Sequence, residues 1–268
     1  MSLIADLRSS RELLVNLTLR ELRGKYKRTV LGQAWSLLNP IAQMVTYSVV
    51  FSLLLRAKPP AGSPSGIDVF ALWLSCGLLP WLFFSNVLMT GMTSLISNAN
   101  LIQKVYFPRL TLVVSGMLAL LVTFAIEIGV LVVALLLFGG RPLTLLPVTL
   151  VVMVVFGLFA LGFALLLSVT NVYFRDTQHF VPIALQVWFY ATPVIYPIQI
   201  LAAQHPGVIR YYRLNPMERF VEIFRNTLYD ARWPSLANVL YVLAWTVAAL
   251  AVGLWVFRRY EGRLAEEL

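Results

Sequence analysis

Charged side chains are scarce in this sequence: 12% of its 268 residues are Asp, Glu, Lys or Arg, whereas 59% are hydrophobic. Because soluble domains carry about 25% charged residues, these proportions exclude an ordinary water-soluble globular protein. The mean hydropathy of +0.80 leads to the same conclusion. Most of the chain therefore has lipid, and not water, as its solvent.

Cysteine and histidine are almost absent. The one cysteine, Cys76, lies in an apolar stretch, which excludes a disulfide framework, a cysteine metal cluster and a redox pair, and leaves a small packing residue. The two histidines, His179 and His205, fall on opposite predicted sides of the membrane. A His-rich metal site and a His-based catalytic dyad are therefore excluded, and the HExxH pattern of zinc proteases does not occur.

A phosphate-binding loop is missing as well. The only Gly-Lys pair, Gly24-Lys25, is followed by Tyr26 and has no glycine five residues upstream, whereas a P-loop requires that glycine and a following Ser or Thr. We therefore expect no enzyme activity, no metal site and no cofactor in this chain. If the protein works with ATP and Mg²⁺, a partner ATPase must bind and hydrolyse the nucleotide.

Long apolar runs dominate what is present. A membrane-spanning helix needs about 20 mostly apolar residues, because its backbone polar groups must be satisfied internally. Six runs meet this requirement, at 35–55, 69–88, 110–138, 144–169, 180–200 and 236–257. The sequence thus predicts an all-α integral membrane protein with a transmembrane domain over 35–268. The turn at 139–142 makes the third and fourth helices antiparallel neighbours, and Pro182, Pro193 and Pro197 interrupt the fifth.

The basic residues indicate the orientation in the membrane. Twenty-one Lys and Arg outnumber twelve Asp and Glu, which gives a net charge of +9. Most of these basic residues lie beside apolar runs, in segments that share one side of the membrane if the N-terminus is cytoplasmic. Lys and Arg mark cytoplasmic loops, so we expect both termini inside, and we expect the charge to meet anionic headgroups and not nucleic acid.

Residues 1–34 form a cytoplasmic segment without a cleavable signal pattern. Apolar and polar residues separate at helical spacing. The apolar side holds Ile4, Leu7, Leu14, Thr18 and Leu22, and the polar side holds Glu12, Asn16, Arg20, Arg23 and Lys27. Arg11 breaks the pattern. A solvated charged tail is one interpretation, but the apolar stripe favours an amphipathic interface helix on the inner leaflet.

The segment 199–234 is too short and too charged for two more spans. Asn215, Pro216 and Glu218 supply an N-cap, a first-turn proline and an N3 glutamate, which predicts the start of a helix. Apolar residues then recur at helical spacing from Met217 onwards. The sequence predicts an amphipathic outer helix that forms a re-entrant pair with the broken end of the fifth span.

One acidic residue, Glu127, falls within an apolar run. A carboxylate in the membrane indicates proton coupling or contact with a substrate, although a protonated or hydrogen-bonded structural group is the simpler interpretation. Aromatic residues gather near the predicted span ends, where most belong to an interfacial belt. Because aromatic faces also suit sugar rings, Trp188, Phe189, Tyr190 and Tyr196, with Glu127, are candidates for lining a glycan channel or gate.

Three stretches carry a family resemblance. The first is RELRGKYK at 20–27 leading into LGQAWSLLNP at 31–40, the second is NANLIQKVYFPR at 98–109, and the third is NVYFRD at 171–176 followed by PVIYP at 193–197. In this order, and over about residues 12–230, they resemble the permeases of the ABC-2 exporter family. The resemblance is greatest to those that export O-antigen, capsule, teichoic acid or mycobacterial galactan.

The resemblance implies a homodimeric permease with two ATPase subunits, a channel between the permease halves and outer gate helices before the last span. It also implies an N-terminal interface helix and a cytoplasmic coupling helix that docks in a cleft of the ATPase. The coupling helix is expected within 98–109. Its candidate residues are Asn98, Asn100, Leu101, Ile102, Lys104, Tyr106, Phe107, Pro108 and Arg109.

A basic cluster at the predicted inner headgroup level comprises Arg20, Arg23, Lys25, Lys27 and Arg28. Arginine forks bind phosphate well, so the cluster is a candidate contact for the pyrophosphate of a lipid carrier. Simple positive-inside anchoring explains the same charges equally well. Both interpretations place these residues at the cytoplasmic surface.

The sequence and the resemblance together favour the permease of an exporter that moves isoprenoid-pyrophosphate-linked polysaccharide across the bacterial plasma membrane. An ABC-2 exporter of drugs or small lipids is the alternative with the same topology. A membrane-embedded enzyme of lipid-linked sugar metabolism is a third possibility, but it would require clustered acidic or histidine residues at one membrane face, and these are missing.

Overall fold

The computed structural model describes residues 10–25, 31–50, 62–105, 107–198, 207 and 209–267, and over these residues the protein contains helices and no strands. Eleven α-helices follow one another in these ranges. They are α1 Arg11–Lys25, α2 Trp35–Tyr47, α3 Phe70–Ser97, α4 Ala99–Lys104, α5 Leu110–Leu137, α6 Leu146–Tyr173, α7 Thr177–Tyr190, α8 Ile209–Tyr212, α9 Pro216–Phe224, α10 Leu236–Tyr260 and α11 Leu264–Glu267.

Short helical turns of other types adjoin several of these helices. A 3-10 turn, Pro142–Leu145, leads into α6, and another, Glu261–Arg263, follows α10. A π-helical segment, Arg225–Asp230, continues α9.

Four helical segments of the described chain are long and apolar enough to cross a membrane. They are Phe70–Ser97, Leu110–Leu137, Pro142–Tyr173 and Leu236–Arg263. Each coincides with one of the six predicted spans. The first of them continues past the predicted inner end at Leu88, because no proline or charged residue interrupts 89–97.

The other two predicted spans correspond to shorter helices. Helix α2 begins at Trp35 and continues as a π-helical turn to residue 50, while residues 51–61 lie outside the described part of the chain. Helix α7 has 14 residues and ends at Tyr190, before the turn that contains Pro193. Pro182 lies inside α7 without ending it. A full crossing at these two positions stays a prediction.

Helix α3 is the centre of the bundle. In its most apolar 18-residue window 78% of the residues are buried, compared with 17% in the corresponding window of α10, which lies at the periphery. Small residues bring backbones close together, as is common between membrane helices. Gly91 of α3 lies against Ala164 of α6, and Gly253 of α10 lies directly against the Gly162 carbonyl of α6.

The connection between α5 and α6 is a tight turn, as its sequence predicts. Gly139 has φ +83°, a conformation that favours glycine. The Gly140 amide then donates to the Leu135 carbonyl at 2.8 Å, which closes the end of α5. The two helices consequently pack as neighbours.

Candidate coupling, channel and gate sites

Helix α4 is the six-residue helix at the centre of the predicted coupling segment. Asn98 lies at the junction between α3 and α4: its Nδ2 donates to the Ser94 carbonyl at 2.9 Å, and its own carbonyl accepts from the Leu101 amide at 2.9 Å. Ile102 is buried, whereas Asn100 and Lys104 are exposed. Helix α4 is therefore anchored on the protein by apolar side chains and exposes polar ones.

Phe107 of the coupling segment packs inwards more than its sequence indicates. Phe107 and Leu101 are half-buried against the hydrophobic core. Tyr106 lies outside the described residues. Val105, which the sequence analysis missed, is 53% exposed in extended backbone after α4. The sequence signal for it was an apolar side chain directly after the last turn of α4, next to exposed Lys104.

Pro108 and Arg109 lead into α5. The Pro108 carbonyl accepts from the Thr111 hydroxyl at 2.7 Å, and the Arg109 amide donates to the Glu261 carboxylate at 3.2 Å. Nη1 of Arg109 is buried without a hydrogen-bond partner among the described residues. The coupling segment is thus tied to the end of α10 through the backbone of Arg109.

Helix α1, the predicted interface helix, packs against α5. Leu17 is its one fully buried side chain, and Leu13 and Leu14 are half-buried against the core. The opposite side holds exposed residues, namely Glu12, Asn16, Arg20 and Arg23. The sequence analysis placed Leu14 on the apolar side but omitted Leu17, three residues further along the same stripe.

The basic cluster is only partly within the described residues. Arg20 donates from Nη2 to the Glu21 carboxylate and to Oδ1 of Asn98, both at 2.9 Å. Arg23 is exposed. The side chain of Lys25, and Lys27 and Arg28 entirely, lie outside the description. Arg20 therefore contacts the coupling segment, a relation that its sequence position did not indicate.

A cavity of about 420 Å³ lies between α1, α3 and α5. Polar side chains contribute much of its lining, namely Glu21, Asn86, Thr90 and Thr123. Three of them lie well inside spanning helices, where an unpartnered polar group is unfavourable in contact with lipid. The membrane domain thus contains a polar recess beside the interface helix.

Two of the four candidate channel aromatics belong to what we term the outer aromatic cluster, formed by Trp81, Phe84, Phe163, Trp188 and Phe189. The Trp188 ring meets Phe84 edge-on at 5.3 Å and Phe163 at 5.9 Å, measured between centroids. Phe189 lies 5.4 Å from Trp81. Trp188 and Phe189 are half-buried in this cluster, so α7 is fixed to α3 and α6 by aromatic packing.

The other two candidate aromatics lie beside this cluster. The Tyr196 hydroxyl donates to the Tyr190 carbonyl at 2.6 Å and lies 3.1 Å from the Tyr212 hydroxyl. The ring of Tyr190 is 57% exposed. Glu127 lies apart from all four in sequence, half-buried on α5, three residues after Phe124.

Helix α9 reaches deep into the bundle. The Phe220 ring lies 4.7 Å from Phe156 and 5.1 Å from Phe159, and both partners are near the middle of the 32-residue segment Pro142–Tyr173. A helix of nine residues that contacts the middle of a spanning helix does not cross the bilayer itself. Its position fits the re-entrant arrangement that the sequence analysis predicted.

Asn215 is the N-cap of α9, as its sequence predicts. Its Oδ1 accepts from the Met217 amide at 3.0 Å and from Nε1 of Trp188 at 2.9 Å, while Nδ2 donates to the Thr192 hydroxyl at 2.9 Å. The side-chain amide of Asn215 therefore connects the start of α9 with the end of α7. Glu218 was expected to complete the cap, but its carboxylate is buried 3.4 Å from Nε of Arg219. The backbone N–H of Asn215 donates instead to the Tyr212 carbonyl.

Arg225 ties the far end of α9 to two other parts of the chain. Its guanidinium lies 3.7 Å from the centroid of the Trp73 ring and donates to the carbonyls of Pro193 at 2.8 Å and Val194 at 2.6 Å. Gly77 leaves the room, since a Cβ there would lie 2.9 Å from Nη2 of Arg225. The sequence analysis missed Arg225. An arginine just before the uncharged run 226–229 was the available signal.

A second polar network connects α9 with α10. Nη1 of Arg219 donates to Oδ1 of Asn238 at 2.6 Å, and Nδ2 of Asn238 donates to the Glu222 carboxylate at 2.8 Å. The Tyr241 hydroxyl donates to the Leu214 carbonyl at 2.7 Å. Together with Asn215 and Arg225, these bonds hold α9 to α3, α7 and α10.

The arrangement is that of an all-helical protein with four helical segments, among the described residues, that could span a membrane. Within the described residues no group of His, Cys, Asp and Glu side chains is suited to hold a metal ion. The profile of the ABC-2 type transporter family matches residues 12–229. The chain belongs to this family, which confirms the resemblance seen in its motifs.

Curated relatives match nearly the full length. An O-antigen export system permease protein, RfbA, of Myxococcus xanthus is 30% identical over 92% of this chain and 94% of its own length. The protein of the same name from Klebsiella pneumoniae is 29% identical, with coverage of 96% and 95%. The polysialic acid transport protein KpsM of Escherichia coli is 22% identical, with coverage of 91% and 92%.

Proposed function

We propose that this chain is the transmembrane permease subunit of an exporter that moves isoprenoid-pyrophosphate-linked polysaccharide across the bacterial plasma membrane. The observation that carries the proposal is the similarity, over nearly its whole length, to permeases named for O-antigen export and for polysialic acid transport. The polar recess beside α1 supports a substrate with a hydrophilic headgroup, whereas a drug exporter has less need of it.

Energy in this proposal comes from a separate ATPase. A 2:2 complex of permease and ATPase, with both permease termini cytoplasmic, places α4 against the ATPase. Exposed Lys104 and Val105 are suited to meet that partner, because an apolar side chain such as Val105 is favourable at the surface when a protein covers it. ATP binding and closure of the ATPase would then displace α4 and the spans attached to it.

The route for the glycan is assigned to the face of α7 and to the outer aromatic cluster. Phe180, Ile183 and Val187 of α7 are 62–69% exposed, and a second copy of the chain is the partner that would cover this apolar face. Tyr190 and Tyr196 lie at the end of this face, where their rings suit stacking against sugars. The re-entrant helix α9 then acts as the outer gate.

Deletion of the chain in its host tests the proposed function. We expect lipid-linked polysaccharide to accumulate on the cytoplasmic side of the membrane and to disappear from the cell surface, measured by labelling with a periodate-coupled probe on intact and permeabilised cells. A drug or small-lipid exporter would instead leave the surface glycan unchanged and increase sensitivity to a toxic compound, which would overturn the proposal.

The absence of a P-loop gives a second test. The purified permease should hydrolyse no ATP, and activity should require its ATPase partner. Hydrolysis by the homogeneous permease, retained after removal of contaminating ATPases, would contradict the division of roles.

A further inference from the structure

The carboxy-terminal end of the chain does not simply leave the membrane after the last span. Helix α10 ends at Tyr260, and the 3-10 turn Glu261–Arg263 and helix α11 follow it. Leu264 in this segment is fully buried and belongs to the hydrophobic core. Because α11 also contacts α4, the segment returns to the cytoplasmic face of the bundle beside the coupling helix.

The contact that joins the two parts is specific. A carboxylate oxygen of Glu261 accepts from the backbone amide of Arg109 at 3.2 Å. Arg109 is the N-cap of α5, and α5 is the span that follows α4 directly in the chain. A negative charge at the start of a helix is favourable, because it meets unpaired amides and the positive end of the helix dipole.

Two neighbouring contacts hold Glu261 in place. The Tyr260 ring meets the Tyr173 ring of α6 at 5.4 Å and an interplanar angle of 65°, and buried Leu264 anchors the chain three residues after Glu261. The carboxylate is thus supported from both sides in sequence. A surface carboxylate without such anchors would gain little from one hydrogen bond.

We propose that the segment 261–264 is a brace for the coupling helix, with Glu261 as a positioning residue that acts through the Arg109 backbone. The brace fixes the point at which α4 turns into α5. Displacement of α4 by an ATPase is therefore passed to the spans, whereas an unbraced segment would bend at 105–109 and absorb the movement. This proposal rests on the proposed function, since it assigns the route by which that exporter is driven.

The matched variants are Glu261→Ala, Glu261→Gln and Glu267→Ala. Ala removes the acceptor, Gln retains an oxygen acceptor without the charge, and Glu267 is an exposed carboxylate in the same segment. The test uses the full permease–ATPase complex. It measures polysaccharide exported per ATP hydrolysed, and amide hydrogen exchange in peptides that cover 105–112.

Glu261→Ala should lower export per ATP about tenfold, the lower end of what the loss of one hydrogen bond to a charged group gives, and should speed exchange at 105–112. Glu261→Gln should retain most of the export per ATP and most of the protection from exchange, and Glu267→Ala should change neither quantity. If Glu261→Ala prevents assembly, Leu264→Ala, which weakens the anchor and leaves the carboxylate, should show the same partial uncoupling.

Faster exchange at 105–112 with wild-type export per ATP would overturn the brace, because Glu261 would then have a structural role only. Unchanged exchange in Glu261→Ala would overturn it as well. A further outcome separates the brace from the proposed substrate. If the complex exports no polysaccharide, but the permease stimulates the ATPase and Glu261→Ala removes that stimulation, the proposed substrate is wrong and the brace is supported.

Discussion

The guanidinium of Arg225 lies over the Trp73 ring, 3.7 Å from its centroid, while both of its Nη atoms donate to carbonyls of the turn after α7. A desolvated cation–π contact is worth about 2 kcal/mol, and each hydrogen bond from a charged donor adds about 1.5–3 kcal/mol. Arg225 therefore holds three parts of the outer half together: the start of α3, the turn at 193–194 and the end of α9.

Replacing Arg225 should loosen this outer half. Arg225→Gln leaves the Pro193 and Val194 carbonyls without their donors, and we expect the complex to lose about 3 kcal/mol or more of stability, because buried partners remain unpaired. Arg225→Lys should restore part of it, since a lysine cannot match the planar fork. Thermal unfolding of the detergent-solubilised complex measures the loss.

The control is Arg210→Gln, which changes an exposed arginine and should cost little. If α9 is the outer gate, Arg225→Gln should also make the membrane permeable to small hydrophilic solutes in the absence of ATP. If the membrane stays impermeable to these solutes and the unfolding temperature equals that of the wild type, Arg225 does not hold these three parts together.

Arg20 and Asn98 distinguish two roles for the basic cluster. If Arg20 works through its hydrogen bond to Asn98, then Arg20→Gln and Asn98→Leu should reduce export per ATP to a similar extent, and the double variant should add little to either. If Arg20 contacts the pyrophosphate, Arg20→Gln alone should weaken binding of the lipid-linked substrate. Double-mutant analysis of export and substrate binding decides, with Arg11→Gln, an exposed arginine of α1 outside the basic cluster, as the control.

Val105 and Phe107 separate docking from packing in the coupling segment. Val105 is 53% exposed and Phe107 is half-buried against the core. Val105→Asp should abolish stimulation of the ATPase with little change in the unfolding temperature of the permease alone, because only an interface is lost. Phe107→Ala should lower both, by about 1–3 kcal/mol in stability. Wild-type stimulation in both variants would remove 98–109 from the ATPase contact.

Asn215 should matter beyond a single helix cap. A capping residue changed to alanine typically costs about 1 kcal/mol, but here the same amide also pairs with Trp188 and Thr192. We expect Asn215→Ala to cost about 2–3 kcal/mol, since the indole N–H loses its acceptor, and we expect Trp188 fluorescence to shift to longer wavelength as solvent reaches the ring. Asn100→Ala, at an exposed site, is the control. A loss no larger than that control would contradict the connection between α7 and α9.

The sequence predicted what depends on local pattern. Apolar runs located the four long helices, and the N-cap at Asn215 followed from residue order alone. The inner end of α3 was placed too early at Leu88, because Thr, Ser and Gly lower the hydropathy of 89–97 without breaking the helix. The end of α7 at Tyr190 depends on a turn that Arg225 stabilises from 31 residues away or more.

Long-range partners account for the rest. Arg20 was a candidate for lipid phosphate or for positive-inside anchoring because its neighbours in sequence are basic, and its hydrogen bond to Asn98, 78 residues away, gave no sequence signal. Glu218 fits a capping pattern but lies in a buried position, since α9 turns that side towards the bundle. Neither the partner of Arg20 nor the burial of Glu218 can be predicted from composition or spacing, because both depend on which surfaces of distant helices meet.

The backbone contact between Gly162 and Gly253 restricts how this bundle can deform. Two helices separated by side chains can shift relative to one another as the rotamers change. A glycine pair in direct contact has no side chains to adjust, and any larger side chain would collide with the opposite main chain. We therefore expect helices α6 and α10 to move together as one rigid unit. The rearrangements of a transport cycle then have to occur between this pair and the other helices of the bundle.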